Sequence, residues 1–551
     1  MATTRLWRSL CSRSGLGPPK RLHNDLHNRS PGQPAKSGPT GGRGTVAGVA
    51  PLDRTIPVGV VGAGTMGAGI AQVAAMAGHP VRVLDALPGA AERSVVSIGQ
   101  RLAQLAAKGR LPAGAADQAG ARLAAVGSMA DLAGCGLVVE AAVEDLAVKR
   151  ELFAELEKTC GDRAILTTNT SSLSVTDIAE GLVEPARVAG LHFFNPAPVL
   201  PLVEVVAGAA SSEAVLRTLA DTARAWGKSP VRCASTPGFI VNRVARPYYT
   251  EAFRLLEAGV TDPSTLDALL REAGGFRMGP FELTDLIGQD VNSAVTRSVW
   301  EAFDRDPRFE PSTLQESLVA DGRLGRKSRR GFYSTDEQPD PATALAASPP
   351  GGVVVDGAGG PLHGLVRRLA SARVPVTAGR DVGPLLLHPA DGVVIRLTDG
   401  RTAAAVTAES TATVVLVDLA LDFETATRVA ISAPDNAPPS AIEAGVGCLQ
   451  AAGLAVTVLP DVAGLVVART VAMIAAFGAD AVDAGVATAD DVDTAMRLGV
   501  NYPRGPIEWG DRLGWGWVTA MLDALAAAED PRRYRVSDGL RARADHGASG
   551  A

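Results

Sequence analysis

A glycine-rich turn between two apolar strands is the feature that most restricts how this 551-residue chain can fold. Residues 56–85 predict a strand, a turn, a helix and a second strand. The turn reads G-x-G-x-x-G with Gly62, Gly64 and Gly67, and Asp85 ends the second strand. Glycines in this context let backbone amides approach a pyrophosphate at a helix N-terminus, and the acid hydrogen-bonds the ribose. Since no arginine follows Asp85 closely, the sequence predicts NAD rather than NADP.

Three polar residues lie near the ends of apolar segments within residues 166–204. Ser171 lies in a Thr/Ser-rich turn, His192 ends an apolar run, and Glu204 lies within the next one. An open α/β sheet binds its ligands at such strand ends. An imidazole exchanges protons near neutral pH, and a carboxylate on its far nitrogen fixes the tautomer. A histidine at a strand end is also often purely structural, so the stretch needs support from elsewhere in the chain.

Further residues at these segment ends are assigned to the cofactor site. Glu140 ends a predicted strand and Lys149 lies at the start of the following helix, where both would face the cofactor. Surface charges at a helix start are the competing interpretation. The same cofactor site is assigned Met66, Asn169 and Asn195.

Composition excludes several classes of function. The net charge is −6 and the basic residues form no stripe, so no nucleic acid partner is expected. No apolar run reaches the length of about 18 residues that a membrane-spanning helix requires. Five cysteines without CxxC spacing argue against a metal site or a disulfide framework, and they favour a reducing, cytoplasmic location. Residues 1–53 are predicted to be a disordered leader, with an Arg- and Ser-rich organelle presequence as the alternative.

The motifs taken together resemble the L-3-hydroxyacyl-CoA dehydrogenase family. The resemblance covers residues 56–335 and is carried by GAGTMGAGIAQ (62–72), EAAVEDLAVKRELF (140–153), NTSSLSVTDIA (169–179), GLHFFNPAPVLPLVEVV (190–206), STPGFIVNR (235–243), GPFELTDLIG (279–288) and GRKSRRGFY (325–333). It implies NAD-dependent oxidation of a (S)-3-hydroxyacyl-CoA. His192 would act as base and Glu204 would orient it, while Ser171 and Asn242 would hold the substrate oxygen. It also implies Lys108 near the CoA moiety, although the sequence around Lys108 departs from the family pattern.

An internal repeat relates the two halves of the chain. With a shift of 226 residues, 461–469 aligns with the stretch at Gly238, and 505–508 aligns with 279–282. Asn242 then meets Ala468, while Arg243 meets Arg469, which suggests an architectural arginine. Between the helical copies, residues 428–433 parallel 187–192, which would replace His192 by Ala433. The second half is therefore predicted to be non-catalytic.

The predicted fold class is an α/β Rossmann domain followed by an all-α domain, a reduced Rossmann-like α/β unit and a second all-α domain. The predicted boundaries are leader 1–53, NAD-binding domain 54–236, helical domain 237–335, linker 336–350, reduced domain 351–460, second helical domain 461–535 and tail 536–551.

The expected partner is an acyl-CoA thioester, with the helical copies forming a pseudo-dimer within one chain or the protein forming a homo-oligomer. The resemblance to long bacterial members implies 3-hydroxyadipyl-CoA, an intermediate of phenylacetate breakdown, or 3-hydroxybutyryl-CoA as substrate. The alternative function is a non-catalytic dinucleotide-binding regulator.

Overall fold

A computed structural model describes residues 50–334, 339–357, 360–381 and 383–548. Most of the predicted leader therefore lies outside the described residues. The chain divides into two compact units, one ending at Ser235 and the other beginning at Thr236. Among the described residues, no helix has both the length and the apolar character to cross a membrane.

The first unit is an α/β sandwich built on one sheet. Its strands within residues 50–235 are β1 (Val58–Val61), β2 (Val81–Leu84), β3 (Leu123–Ala125), β4 (Leu137–Glu140), β5 (Ile165–Thr168), β6 (Val188–Phe193), β7 (Leu202–Ala207) and β8 (Ser229–Ala234). Its helices are α1 (Thr65–Ala77), α2 (Ala90–Ala107), α3 (Ala115–Ala121), α4 (Leu146–Cys160), α5 (Val175–Ile178) and α6 (Glu213–Ala225), with 3₁₀ turns at Met129–Leu132 and Pro185–Arg187.

The strand order of this sheet is β3-β2-β1-β4-β5-β6-β7-β8. Every neighbouring pair is parallel except β6 and β7, which are antiparallel. Val58 and Val60 of β1 share a buried core with Ile70 of α1 and Leu219 of α6. Because helices cover both faces of the sheet, its parallel strands are continuous apolar runs in the sequence. It also brings the carboxyl ends of β1, β2, β4, β5 and β6 to one edge.

The second unit begins with helices. Within residues 236–334 these are α7 (Val241–Val244), α8 (Arg246–Glu257), α9 (Pro263–Glu272), α10 (Pro280–Ile287), α11 (Gln289–Ala302) and α12 (Thr313–Ala320), with 3₁₀ turns at Pro307–Phe309 and Arg326–Ser328. The sequence pattern predicts one long helix from about Thr236 through Leu255, and this is wrong. The helix is interrupted at Ala245, because Pro247 has no amide hydrogen and is accommodated only in the first turn of α8.

A second sheet follows in the same unit. Its strands within the described residues are β9 (Val353–Asp356), β10 (Val376–Ala378), β11 (Leu386–Ala390), β12 (Val393–Leu397), β13 (Thr413–Val417), β14 (Arg428–Ser432) and β15 (Ala455–Leu459). The accompanying helices are α13 (His363–Ser371), α14 (Ala403–Thr407) and α15 (Pro439–Ala451). The strand order is β10-β9-β11-β12-β13-β14-β15.

The remaining helices form the second helical copy. They are α16 (Val467–Asp483), α17 (Ala489–Gly499), α18 (Pro506–Leu513), α19 (Trp515–Ala528) and α20 (Asp538–Ala548). Helix α20 lies in the interval that the sequence assigns to a tail, and it packs on α19 and α16.

Strand pairing corrects the correspondence between the two sheets. Strands β5-β6-β7-β8 pair parallel, antiparallel and parallel, and β12-β13-β14-β15 repeat that pattern. Strand β13 is therefore the counterpart of β6, and β14 is the counterpart of β7. The predicted match of residues 428–433 to 187–192 is therefore wrong. Both stretches begin with an arginine followed by apolar residues, so the sequence alone does not distinguish them.

The corrected register extends the 226-residue shift back to the strand that carries His192. Gly190 pairs with Val206 in the first sheet, and Leu416 pairs with Ser432 in the second, which is the same pair after the shift. His192 therefore corresponds to Asp418, not to Ala433, and Glu204 corresponds to Ala430.

The two helical copies pack against each other within the second unit. Arg469 of α16 is 1 % exposed, and its Nε lies 3.0 Å from Oε2 of the fully buried Glu251 in α8. Arg308 Nη1 lies 2.7 Å from Oδ2 of Asp480 in α16, and the ring centroids of Phe309 and Phe477 are 5.0 Å apart. The contact between the copies thus combines one buried ion pair, one half-buried ion pair and aromatic packing.

Candidate active site

The antiparallel pairing of β6 and β7 places His192 directly opposite Glu204. The distance between His192 Nδ1 and Glu204 Oε2 is 2.7 Å, and the two residues are 5 % and 0 % exposed. Because a carboxylate can only accept, Nδ1 carries the hydrogen in this pair. The neutral ring then has its basic lone pair on Nε2, which is the arrangement that a general base requires.

The glycine turn fits a dinucleotide pyrophosphate. Gly62 has φ +105°, and a Cβ on Gly67 would lie 1.8 Å from the carbonyl oxygen of Gly62, so both positions require glycine for the fold. A Cβ on Gly64 would meet no protein atom within 4 Å. Gly64 precedes α1, so its backbone is open to an anion at the helix N-terminus.

Asp85 is held at the glycine turn by its own hydrogen bonds. Its carboxylate accepts from the amides of Ala63 at 2.6 Å and Leu87 at 2.8 Å. The structure therefore brings the predicted ribose ligand and the predicted phosphate turn together at the ends of β1 and β2. Met66 is half-buried in the first turn of α1.

Glu140 and Lys149 form a buried ion pair with each other. Lys149 Nζ lies 2.6 Å from Glu140 Oε1, and the side chains are 1 % and 0 % exposed. The second Glu140 oxygen accepts from the hydroxyl of Thr168 at 2.6 Å. These charges are directed toward each other at the end of β4, and a direct contact of either with the cofactor stays a prediction.

Glu144 is the carboxylate that the sequence interpretation missed. It lies in the loop after β4, its side chain is 39 % exposed, and its Oε2 is 3.4 Å from Lys149 Nζ. Burial alone would raise the pKa of Glu144, but Lys149 and hydrogen bonds from Thr170, Ser172 and Ser171 hold that pKa below its usual value. The sequence feature that could have indicated Glu144 is its position four residues after Glu140, together with the run of hydroxyl residues that follows β5.

The other predicted site residues lie in different surroundings. Ser171 is half-buried in the turn after β5, and Asn169 accepts the Phe193 amide at 2.8 Å, which links the ends of β5 and β6. Asn195 is exposed just after β6, and Lys108 is exposed at the end of α2. Asn242 is half-buried in α7 of the second unit. The roles assigned to these residues stay predictions.

Family models match most of the chain. Residues 57–236 match the 3-hydroxyacyl-CoA dehydrogenase NAD binding domain, and residues 238–335 and 464–551 both match the C-terminal domain of that family. Residues 395–462 match the 3-hydroxybutyryl-CoA dehydrogenase reduced Rossmann-fold domain. The chain belongs to the 3-hydroxyacyl-CoA dehydrogenase family.

Individual relatives agree with this membership. A 3-hydroxyadipyl-CoA dehydrogenase of Escherichia coli K12 is 44 % identical over 88 % of this chain and 97 % of its own length. A mitochondrial hydroxyacyl-coenzyme A dehydrogenase of Sus scrofa is 40 % identical over 50 % of this chain and 90 % of its own. The crystal structure of a 3-hydroxybutyryl-CoA dehydrogenase from Escherichia coli K12 superposes with a TM-score of 0.83 at 43 % identity, covering 91 % of this chain and all of that one.

These findings confirm the predicted fold class, the NAD cofactor and the enzyme class. The chain is equipped for NAD-dependent oxidation of a 3-hydroxyacyl-CoA. They also account for the second half, because the reduced domain and the repeated C-terminal domain are recognised features of the family.

Proposed function

We propose that this enzyme interconverts (S)-3-hydroxyacyl-CoA and 3-ketoacyl-CoA with His192 as the general base, and that its substrate is 3-hydroxyadipyl-CoA or 3-hydroxybutyryl-CoA. The observation that carries the assignment of the base is the buried 2.7 Å contact between His192 Nδ1 and Glu204 Oε2.

The chemistry of this pair supports the proposed role. His192 Nε2 takes the proton of the 3-hydroxyl group, and Glu204 stabilises the imidazolium that results. Ser171 and Asn242 hold the substrate oxygen so that its proton points at Nε2. NAD, when bound, would supply the hydride acceptor for C3, and the turn at Gly62, Gly64 and Gly67 would hold its pyrophosphate.

Two names among the relatives support the choice of acyl groups. The 3-hydroxyadipyl-CoA dehydrogenase is similar over nearly its whole length, and so is the 3-hydroxybutyryl-CoA dehydrogenase. A substrate of the first kind would place the enzyme in phenylacetate breakdown. Lys108 is proposed near the CoA moiety on the basis of the family resemblance, and it is exposed at the end of α2.

The experiment is oxidation of NADH by the purified chain with 3-ketoadipyl-CoA and with acetoacetyl-CoA, each repeated with NADPH. We expect turnover with NADH, and the ratio of the two kcat/KM values assigns the acyl group. Tight NADH binding without turnover of either thioester would contradict the proposal and favour a dinucleotide-binding regulator.

Two further assignments accompany the reaction. We propose a cytoplasmic location, which is supported by free, buried thiols at Cys135, Cys160 and Cys448. Burial raises the pKa of Cys160 to about 11 and that of Cys448 to about 12, so both resist oxidation.

We also propose that the two helical copies form a pseudo-dimer within one chain. The domains are proposed to have the boundaries predicted from the sequence. The buried contact of Arg469 with Glu251 supports it. A monomeric particle in solution scattering, with the two helical copies packed together, is the expected result, and two copies lying far apart would contradict the proposal.

A further inference from the structure

The segment that follows the last helix of the first helical copy lies in a groove between α9 and α10, which we call the first groove. Asp285 of α10 accepts the backbone amides of Phe332 at 3.1 Å and Tyr333 at 2.9 Å. The Tyr333 hydroxyl donates to Asp267 of α9 at 2.7 Å. The ring of Phe332 packs on that of Phe281, with the ring centroids 4.6 Å apart. The first groove thus holds its segment through two carboxylates and an aromatic floor.

This fit is close enough to select the residue types of the segment. Asp267 and Asp285 are only 0 % and 5 % exposed. A Cβ on Gly331 would lie 1.8 Å from Asp285 Oδ1, so the first position of the segment requires glycine. The groove therefore accepts a glycine followed by two aromatic residues, of which the second carries a hydroxyl group.

The second helical copy repeats this groove between α17 and α18, and we call the repeat the second groove. With the shift of 226 residues, Asp267, Asp285 and Phe281 correspond to Asp493, Asp511 and Ile507. Asp493 accepts the Ile507 amide at 2.8 Å, as Asp267 accepts the Phe281 amide at 2.9 Å. The carboxylates of the two grooves are therefore held in the same way by the helix that follows.

The second acid of each groove also keeps an equivalent partner. Gln289 donates to Asp285 at 2.7 Å, and its counterpart Trp515 donates to Asp511 at 2.8 Å. Asp285 accepts this bond and two backbone amides at once. Asp511 therefore has the same capacity to accept a bound segment in addition to the indole.

The second groove is open where the first is covered. It has a volume of about 560 Å³, and Ile507 lies among its lining residues with 7 % exposure. Asp493 is half-buried and Asp511 is exposed, although their counterparts in the first copy are buried. The groove thus offers a small apolar contact between two accessible carboxylates.

The charge of the second groove favours a basic segment. Glu508 at its edge is paired with Arg497 at 3.2 Å and with Arg512 at 3.1 Å. Within the described part of the chain, Asp493 and Asp511 form no ion pair. In the first copy, two arginines at 329 and 330 directly precede the bound glycine. A segment of the same composition would be attracted to the two acids of the second groove.

We propose that the second groove binds a segment of a partner protein with the sequence type Arg-Gly-Phe-Tyr. Its glycine would approach Asp511, its phenylalanine would pack on Ile507, and its tyrosine hydroxyl would donate to Asp493. Gly-Phe-Tyr occurs once in this sequence, at 331–333, where it is bound in the first groove. The occupant is therefore a segment of another protein, and this role is independent of the dehydrogenase reaction.

The test is titration of the full chain into a fluorescein-labelled peptide with the sequence of residues 325–334, GRKSRRGFYS, followed by anisotropy. We expect saturable one-to-one binding. Asp511→Asn should weaken it by about tenfold, because a charged acceptor of the peptide amides is replaced by a neutral one. The asparagine oxygen can still accept from Trp515, so the melting temperature should stay unchanged.

Peptide variants test the same contacts without altering the protein. The Gly331→Ala peptide should bind at least about tenfold more weakly, because its methyl group would meet the carboxylate. The Tyr333→Phe peptide should bind about tenfold more weakly through loss of the hydrogen bond to Asp493. Both peptides keep the four basic residues of the original, so they separate recognition of the aromatic segment from attraction by charge.

The matched protein control is Glu443→Gln, which removes an exposed carboxylate from α15 and should bind the peptide like the unsubstituted chain. Three outcomes would overturn the inference. They are absence of saturable binding up to about 1 mM, equal affinity for the Gly331→Ala peptide, and unchanged affinity in Asp511→Asn. The last result would mean that the peptide binds elsewhere, for example by displacing the segment of the first groove.

Discussion

The two halves of the chain keep the same architecture at equivalent positions. Asp267 and Asp493 are related by the 226-residue shift, and each caps the helix that follows a Gly-Pro pair. Asp267 accepts the amides of Phe281 and Glu282, both at 2.9 Å, and Asp493 accepts the amides of Ile507 at 2.8 Å and Glu508 at 3.1 Å. Burial raises the pKa of both carboxyls, to about 7 for Asp267.

The residues proposed for the reaction differ at equivalent positions. His192, Glu204 and Asn242 correspond to Asp418, Ala430 and Ala468. Asp418 is fully buried, and it accepts from the amides of Val466 at 3.0 Å, Val467 at 2.8 Å and Ala468 at 2.9 Å at the start of α16. The comparison teaches that one strand position can hold the proposed general base in one copy and a helix cap in the other, while the strand pairing around it is the same.

The largest expected effect is on turnover when the first copy loses its base. His192→Gln should lower kcat by about 10²- to 10⁴-fold, because proton transfer is lost, and should leave NADH affinity unchanged. The matched control is the Asp418→Asn variant, which changes the equivalent position of the second copy. At a temperature where this variant remains folded, its kcat should equal that of the unsubstituted chain. Retained turnover in His192→Gln would remove His192 from the base role.

The second effect is on stability at the contact between the helical copies. Arg469→Met should destabilise the second unit by about 3–5 kcal/mol, because it removes the nearest cation from the buried Glu251 and leaves, among the described residues, only Arg254 at 3.9 Å. Adding Glu251→Met should restore much of that loss in urea denaturation.

The equivalent Arg243→Met should cost less. Arg243 has a 3.5 Å hydrogen bond to the Asp480 carbonyl and stacks on Phe303. An equal loss of unfolding free energy in Arg243→Met and Arg469→Met would contradict the expected difference between the two copies.

The third effect concerns the cap at Asp418 and its pH dependence. Burial raises the pKa of Asp418 to about 6 despite the amides that oppose the rise. A folded-state pKa above the unfolded value favours folding with the proton bound. The resulting stability is complete below the unfolded pKa of 3.8 and is lost as pH rises through 6.

Relative to Asp418→Asn, the unsubstituted chain should therefore lose about 3 kcal/mol of unfolding free energy between about pH 4 and pH 7. Asp418→Ala leaves buried amides unpaired and should destabilise α16 by about 1–3 kcal/mol at neutral pH. Hydrogen exchange of the α16 amides measures both, and a pH-independent difference between the chain and Asp418→Asn would refute the assignment.

The smallest expected effect separates the glycine turn of the first half from Gly357, which directly follows β9 in the second sheet. Gly64→Ala meets no protein atom, so the fold should be intact while NADH binds at least about tenfold more weakly, or about 1.4 kcal/mol. Gly357→Ala should do the reverse, since Gly357 has φ +78° and its Cβ would lie 2.4 Å from the Pro384 carbonyl. It should lower the melting temperature and leave NADH affinity unchanged. Normal NADH affinity in Gly64→Ala would place the pyrophosphate elsewhere.

Local sequence pattern was sufficient for the first sheet and for the residue types of the site. The glycine turn and Asp85 are separated by one helix and one strand, so periodicity alone predicts their meeting. The proximity of His192 and Glu204 was predicted from strand ends, but their direct opposition depends on the antiparallel register of β6 and β7.

The features that the sequence did not predict have physical causes. Glu144 contacts residues 26 to 28 positions away through loops, and such hydrogen bonds leave no periodic signal. Asp418 was assigned no role because neighbouring strands of a buried sheet have similar apolar compositions, so only hydrogen-bonded pairing shows which strand corresponds to β6. The break at Ala245 was missed because helical spacing continues through Pro247.

Because both helical copies belong to one chain, their contact does not depend on protein concentration, and the two copies can diverge in sequence independently. An interface between two separate chains weakens as protein concentration falls, whereas a tethered one sees a constant local concentration. A twofold contact between identical chains also forces each residue to suit its own symmetry mate. Glu251 and Phe477 occupy equivalent positions of the two copies, so covalent linkage has released that requirement, and each side of the contact has specialised separately.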